Sequence, residues 1–135
     1  MTALRFLFRL VVLTSLLALA GCNLAREGDV PAQNAGPTVS FLAPENMAQV
    51  RAGDDVPVLI LAEDPDGPGI ARVALLVNDL PHQEGTPEIS EAVPVFTVQM
   101  SWRANGQGLQ SLTAIAYRAD GTASAPATIA LDVVP

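Results

Sequence analysis

From Thr38 onward, apolar and polar side chains alternate with a period of two, which is the repeat of a β-strand and not that of a helix. The clearest case is 96–102, FTVQMSW, and it predicts a strand with one buried and one wet face. The segment 56–62 is apolar on both faces, which indicates a more central strand with Pro57 at its start. The pattern predicts strands at 38–42, 48–51, 56–63, 70–77, 93–102, 109–118 and 126–134.

Clusters of Gly, Pro, Asp and Asn separate these runs, at 53–55, 64–69, 105–108 and 120–121. These residue types favour turns because they accept positive φ, fix φ or bond their own backbone. No segment after residue 22 has the pattern of an amphipathic helix. Short strands with regular turn signals over about 100 residues predict an all-β sandwich of about seven strands. One Cys excludes an intramolecular disulfide, and a chain of this size can bury a core without one.

The first 22 residues have a different pattern. Arg5 and Arg9 precede an apolar run at 10–20 that is too short to span a membrane but suits a signal peptide. The sequence LAGC at 19–22 resembles the bacterial lipobox. That resemblance implies a lipoprotein in which the chain is cut before Cys22 and this residue carries palmitate-type acyl chains. An ordinary secretory signal with a chance Cys, or an uncleaved anchor, remains an alternative.

This gives three expected regions: a lipoprotein signal peptide (a cleaved N-terminal signal helix) at 1–21, a lipid-anchored flexible tether at 22–36, and a domain at 37–135. The tether mixes Gly, Pro, Asn and charges, and a flexible chain of its length spans about 20 Å. We therefore expect an exported protein, anchored to the cell membrane or outer membrane and facing outside the cytoplasm. By the same resemblance, Asn23 favours the outer membrane where two membranes exist.

The domain resembles the bacterial Ig-like repeats of surface and secreted proteins. The resemblance rests on an opening Pro-Thr-Val at 37–39, an Ala-x-Asp-x-Asp-Gly turn at 62–67 before a strand, and Ala-Tyr-x-x-Asp-Gly at 116–121. It implies an immunoglobulin-like or fibronectin III-like sandwich, and these motifs carry no information on function. The sequence departs from the family at 80–92, LPHQEGTPEISEA, which is long, acidic and interrupted by Pro. We expect a solvated loop there.

The net charge of the chain limits the classes of partner that it can bind. Fourteen acidic residues face seven basic ones, all Arg, for a net charge of −7. Nucleic-acid binding depends on neutralising phosphates with Lys and Arg, so no nucleic-acid partner is expected. The charge favours solubility and can attract cations.

A Ca²⁺ site is one hypothesis for these acids. Asp64, Asp66 and Asp79, with Glu63, could gather at one end of the sandwich, and Ca²⁺ takes six to eight oxygen ligands. The alternative is a plain turn in which the Asp side chains cap their own backbone. No other cofactor is expected.

A second acidic group, Glu84, Glu88 and Glu91, lies with His82 in the predicted loop and is a candidate binding surface. Acid–base catalysis by such a group would need a cleft and a raised pKa, which a solvated loop does not supply. His82 lacks companions for zinc, and no Gly-x-Ser-x-Gly motif is present. We therefore expect no enzyme.

The aromatic residues bear on glycan binding. By alternation Phe96 and Trp102 share the inward face, which favours core packing over a carbohydrate platform. Tyr117 is expected to bond backbone through its hydroxyl at a sandwich corner. The sequence thus predicts a cell-envelope lipoprotein with a non-enzymatic Ig-like binding or structural module, contacting a protein partner through loops 64–69 and 79–92. A glycan-binding accessory module is the main alternative; a Ca²⁺-stabilised adhesion module and a hydrolase are weaker ones.

Overall fold

The computed structural model describes residues 35–135, which form eight β-strands and no helix. The predicted signal peptide, Cys22 and the tether up to residue 34 lie outside the described residues. Within the described part, no helix is long and apolar enough to cross a membrane. The strands are β1 (Thr38–Ala43), β2 (Gln49–Arg51), β3 (Asp55–Glu63), β4 (Arg72–Val77), β5 (Leu80–Gly85), β6 (Val95–Arg103), β7 (Gly108–Tyr117) and β8 (Ala127–Val134).

The strands form two sheets packed as a sandwich. The three-stranded sheet has the order β1-β3-β6, and the five-stranded sheet has the order β2-β8-β7-β4-β5. All pairs are antiparallel except β2 with β8, which is parallel. β3 lies at the centre of its sheet, as its apolar residues on both faces predicted. The fold class, an all-β sandwich, is therefore confirmed.

The core lies between the two sheets and follows directly from the period-two pattern. Alternate residues of β3, β4, β6, β7 and β8 point inward and are buried, while their neighbours face solvent or the outer surface. Burial of these side chains is the main free energy holding the sheets together. The fully buried side chains of largest volume are Ile60, Ile70, Leu75, Leu112, Leu131, Val58, Val73 and Val133.

The seven predicted strands all exist, each with ends within two residues of those expected. The prediction for 80–92 is wrong in its first half, because Leu80–Gly85 is a strand. Asn78 and Asp79 both have positive φ, 50° and 66°, and make a two-residue hairpin turn from β4 into β5. Pro81 is tolerated because β5 is an edge strand, where a missing N–H can face away from the ladder.

Candidate functional site

The loop between β3 and β4 is built around a buried ion pair. Asp64 Oδ2 accepts a hydrogen bond from Arg118 Nε at 2.9 Å, and Oδ1 accepts one from Arg118 Nη2 at 2.8 Å. Oδ2 also accepts from the Gly69 N–H at 3.0 Å. The side chains of Asp64 and Arg118 are only 3% and 8% exposed. This paired, fork-like geometry is the strongest that Arg and a carboxylate form.

The surroundings of this pair fit it closely. The hydrogen bonds from Arg118 hold the pKa of Asp64 below its ordinary value, and Asp64 in turn raises the pKa of Arg118. A Cβ on Gly67 would lie within 2.5 Å of Asp64 and Arg118 atoms, so only glycine leaves room for the pair. Arg118 Nη2 also donates to the Ala35 carbonyl at 2.8 Å. The pair therefore fastens the start of the domain and the β3–β4 loop to the end of β7.

The expected gathering of Asp64, Asp66 and Asp79 does not occur. Asp64 is committed to Arg118 and Gly69, Asp66 is exposed in the turn, and Asp79 follows the far end of β4. β4 has six residues, so its two ends lie about 17 Å apart at the usual rise per residue. Among residues 35–135, no three His, Cys, Asp or Glu side chains are placed to hold a metal ion. The turn alternative describes the β3–β4 loop better.

The three glutamates of the predicted loop have separate surroundings. Glu84 lies on β5 and accepts a hydrogen bond from Arg72 Nη1 at 2.8 Å, in an ion pair open to solvent. The Arg72 guanidinium also stacks on the Tyr117 ring, 3.7 Å from its centroid. Tyr117 thus faces the outer surface of the five-stranded sheet, and the prediction of a corner hydrogen bond is replaced by this stack. Glu88 and Glu91 are exposed in the segment that follows β5.

His82 and Gln83 of β5 reach across to β6, the edge strand of the other sheet. The Ser101 N–H of β6 donates to Gln83 Oε1 at 3.2 Å, and the Ser101 carbonyl lies 3.0 Å from His82 Nε2. His82 is the extra residue where the pairing of β5 with β4 shifts register, as in a β-bulge. Its ring and the Gln83 side chain lie against the outward-facing backbone groups of Ser101.

Trp102 lies in the core, as its alternation with Phe96 predicted, and is 4% exposed. A carbohydrate platform needs an exposed aromatic face, so Trp102 cannot serve as one. Phe96 is only partly buried and lines an opening of about 480 Å³ beside β6. A second shallow groove, of about 320 Å³, lies on the outer face of the five-stranded sheet near Arg72 and Tyr117.

Two features of the folded chain could not be predicted from the sequence: the buried partner of Asp64 and the exposed edge of β6. The sequence around Arg118 does not indicate that this residue is buried in an ion pair, because its partner Asp64 lies 54 residues earlier in the chain. The β6 edge was predicted as a strand but not as a surface, since the sequence does not show which strands lie at the edge of a sheet. Both features depend on the order of strands, which only the folded chain reveals.

No protein-family model and no curated protein matches the chain. Among solved structures, it is similar to the fibronectin(III)-like modules of CbhA from Clostridium thermocellum: 25% identity over 71% of this chain and 96% of that one, with a TM-score of 0.59. It is also similar to the CARDB domain of PF1109 from Pyrococcus furiosus, at 14% identity over 73% of this chain and 94% of that one, TM-score 0.53.

A third similar structure is an endo-beta-1,4-mannanase from Thermotoga petrophila, at 16% identity over 77% of this chain but only 21% of the enzyme, TM-score 0.52. These similarities establish the fold of residues 35–135 as a fibronectin III-like and Ig-like β-sandwich. Such a fold is compatible with a non-enzymatic binding or structural module, and it does not by itself supply a function.

Proposed function

We propose that the chain is a cell-envelope lipoprotein that holds a non-enzymatic β-sandwich binding module at the outer side of a membrane, where it contacts a protein partner. Cys22 carries the acyl chains, the residues that follow it form a tether, and the sandwich is displayed beyond them. The observation that carries this proposal is the combination of a fibronectin III-like sandwich with a lipobox-like LAGC directly after a signal-peptide pattern.

The sequence around Cys22 supports anchoring on physical grounds. The only Cys of the chain stands directly after an apolar run and small residues. A single acyl chain holds a protein at a membrane only marginally, whereas two or more chains give stable attachment. Acylation of both the sulfur and the new amino group supplies that number.

The chemistry of the described residues supports binding over catalysis. Shifted pKa values are common among catalytic acids and bases, which face a cleft where substrate can reach them. Here the acids with shifted pKa values hold structure together: Asp64 accepts from Arg118 and Gly69, and Asp120 accepts from the Thr122 N–H. What the sandwich offers outward is strand edges and end loops, which are the surfaces that such folds use to bind.

The anchor is tested by expressing wild type and Cys22→Ser in a bacterial host and separating membranes from soluble material. Wild type is expected in the membrane fraction, with a mass increase that corresponds to acyl groups on the first residue of the processed chain. Cys22→Ser is expected to lose that mass increase. An unmodified thiol on the exported wild-type protein would overturn the lipoprotein proposal.

Partner binding is tested on the intact membranes. Photocrosslinking residues placed one at a time on exposed positions of the sandwich are expected to give a discrete crosslinked band from a few neighbouring positions. A control set on the opposite sheet is expected to give none. Uniform crosslinking from all positions, or from no position, would argue against a specific protein partner.

A further inference from the structure

A sandwich with two open sheets has four edge strands, and natural proteins protect such edges against unwanted pairing. Three edges here carry recognisable protection. β2 has only three residues. β5 contains Pro81 and a register shift, and β1 also shifts register and is followed directly by Pro44. Short length, bulges and Pro are the usual means of blunting an edge.

β6 is the exception. It has nine residues, its pairing with β3 runs without a register shift, and it contains no Pro and no charged residue before Arg103. A long, regular and uncharged edge strand is a template for another strand. The chain protects one point of it, Ser101, with the side chains of His82 and Gln83. The remainder, Val95–Gln99, has no such cover among the described residues.

The register shows which backbone groups this uncovered part presents. The Ser101 N–H and carbonyl point away from β3, because they bond to β5 side chains, whereas the Ala104 N–H bonds to the Asp54 carbonyl at 2.9 Å. Alternation therefore turns the N–H and carbonyl groups of Thr97 and Gln99 to the free edge. Within residues 35–135 these groups have no hydrogen-bond partner. They form two rungs of a ladder that an added strand can complete.

An apolar opening lies directly beside these rungs. Phe96 and Val98 point between the sheets but are only partly buried, and the opening of about 480 Å³ is also lined by Ile89, which is 97% exposed. The opening exists because β5 ends at Gly85. Gly85 packs so closely on Val98 that a Cβ at Gly85 would lie 2.6 Å from Val98 Cγ2. Past Gly85 no strand continues to cover Phe96. An incoming apolar side chain can fill this space.

The one charged residue that lines the opening is acidic, Glu88. Glu91 stands in the same segment as Glu88, and Glu63 pairs opposite Val95 on β3, outside the opening. We call these three glutamates the acidic rim. No Arg lines the opening. A second copy of this chain would bring the same acidic rim against its own, and like charges facing each other at an interface are costly. Charge complementarity instead favours a basic partner.

We propose that the edge Val95–Gln99 binds an extended segment of a partner protein, which adds to the three-stranded sheet as a further strand. The segment places an apolar side chain beside Phe96 and Val98 and presents Lys or Arg to Glu63, Glu88 and Glu91. This inference rests on the proposed binding function and names its site and the chemistry of its partner.

The first test uses a designed probe with the full chain in non-ionic detergent. The probe is a dye-labelled nonapeptide in which valine alternates with lysine, and binding is measured by fluorescence anisotropy. A peptide with glutamate for lysine and one that is N-methylated at a central valine and at the adjacent lysine are the controls, since one of these two N–H groups faces β6 whichever way the strand runs. Both are expected to bind about tenfold more weakly, because one repels the rim and the other lacks a ladder donor. Equal binding of all three peptides would overturn the proposal.

Hydrogen exchange locates the binding. At a peptide concentration ten times the Kd, the Thr97 and Gln99 amides are expected to exchange about tenfold more slowly. The reason is that exchange then takes place only from the small fraction of protein that has no peptide bound. Protection on the outer face of the five-stranded sheet instead would overturn the edge assignment. Protection at 95–99 that appears without peptide and rises with protein concentration would identify a second copy as the occupant, and would equally overturn it.

Two substitutions at Thr97 test the edge directly. Thr97→Pro removes an N–H that faces away from β3, so the β3–β6 ladder remains while the added strand loses a rung. Thr97→Lys places a positive charge against the basic peptide and remains informative if the Pro variant does not fold. Each is expected to weaken peptide binding at least about tenfold. Ser40→Lys, at an exposed position of β1 on the opposite edge of the same sheet, is the matched control and is expected to bind like wild type.

Two further variants test whether the acidic rim contributes to peptide binding. Glu88→Gln is expected to weaken binding of the lysine peptide about threefold at low salt and much less at high salt, because exposed charges are screened. Glu45→Gln, an equal charge change in the β1–β2 connection, is expected to have no effect. Equal effects would show that only net charge matters and would overturn the rim assignment. If these peptide tests fail while the membrane crosslinks of the previous section persist at other positions, the binding function stands and the edge proposal falls.

Discussion

Replacing Asp64 by Asn tests how much of the stability of the sandwich depends on the buried ion pair. Asp64→Asn keeps the shape of the side chain but removes its charge and one of its two acceptor oxygens. The Arg118 guanidinium, which is 8% exposed, then keeps the Ala35 carbonyl and at most one amide oxygen as acceptors. The variant therefore leaves a positive charge without its carboxylate partner at a site that is almost fully buried.

Removing one partner of a buried ion pair costs about 3–5 kcal/mol, because the other charge is left without compensation. One amide oxygen and the Ala35 carbonyl still accept from Arg118 in the variant, so the lower end, about 3 kcal/mol, is expected for Asp64→Asn. For a domain of about 100 residues this corresponds to a fall in Tm of about 15 °C. Such a loss is large against a total stability of about 5–15 kcal/mol.

Urea unfolding of the chain in non-ionic detergent, followed by the fluorescence of its single Trp, measures this difference. Trp102 reports on folding because it is buried in the core. Asp66→Asn is the matched control: it lies two residues away in the same loop but is exposed, so a change within about 0.5 kcal/mol is expected. A loss below about 1 kcal/mol for Asp64→Asn, or equal losses for both variants, would refute the reasoning.

The pH dependence of the same pair gives an independent check. The pKa of Asp64 is lower in the folded chain than its ordinary value, chiefly because Arg118 donates to it. A depressed carboxyl pKa contributes stability that is fully present above the unfolded pKa of about 3.9 and is lost as the pH falls through the folded pKa. The difference between wild type and Asp64→Asn is therefore expected to be constant near neutrality and to shrink below about pH 4. A difference that grows as the pH falls would contradict this assignment.

Three further outcomes are expected. Iodide is expected to quench Trp102 weakly and its emission to be blue-shifted, since the ring is buried; strong quenching would restore the glycan alternative. Asp79→Gly is expected to stabilise the chain by about 0.5 kcal/mol in urea unfolding, because Asp79 has φ 66° and Asn-Gly suits this hairpin turn better than Asn-Asp; destabilisation would show that the Asp79 carboxylate has a role of its own. The Tm is expected to be equal in millimolar Ca²⁺ and in chelator, because Asp64 is committed to Arg118; a rise with Ca²⁺ would revive the metal hypothesis.

The strands that could be predicted from the sequence are those with one face of side chains turned towards the core. Burial imposes the period of two, so β3, β6, β7 and β8 could be predicted to within two residues. β5 could not be predicted in this way, because five of its six residues are exposed and its sequence therefore has no hydrophobic period. Its turn, Asn78-Asp79, also lacks the Gly that marks most hairpins of this kind.

The candidate site residues show the same division between local and distant information. Asp64 and Asp66 were correctly placed in one turn, because Asp, Pro and Gly determine turns through their own backbones. Which of the two is buried depends on Arg118, which follows β7 and becomes a neighbour of Asp64 only in the folded chain. The prediction of a solvated loop around Glu84 is wrong for a similar reason, since its partner Arg72 becomes a neighbour only when β4 and β5 pair.

The regular alternation of β6 made it the clearest strand in the sequence, and the same regularity distinguishes it from the other edges of the sandwich. A strand that pairs on both sides and an edge strand kept open for a partner have the same pattern, because both need unbroken pairing and neither tolerates Pro or a bulge. Only the strand order separates the two cases: β6 follows β3 at the limit of its sheet, and β5 covers Ser101 but not Thr97. A regular edge left open in this way is a hazard in a module without a partner, and in a binding module it is the surface at which a further strand is best accommodated.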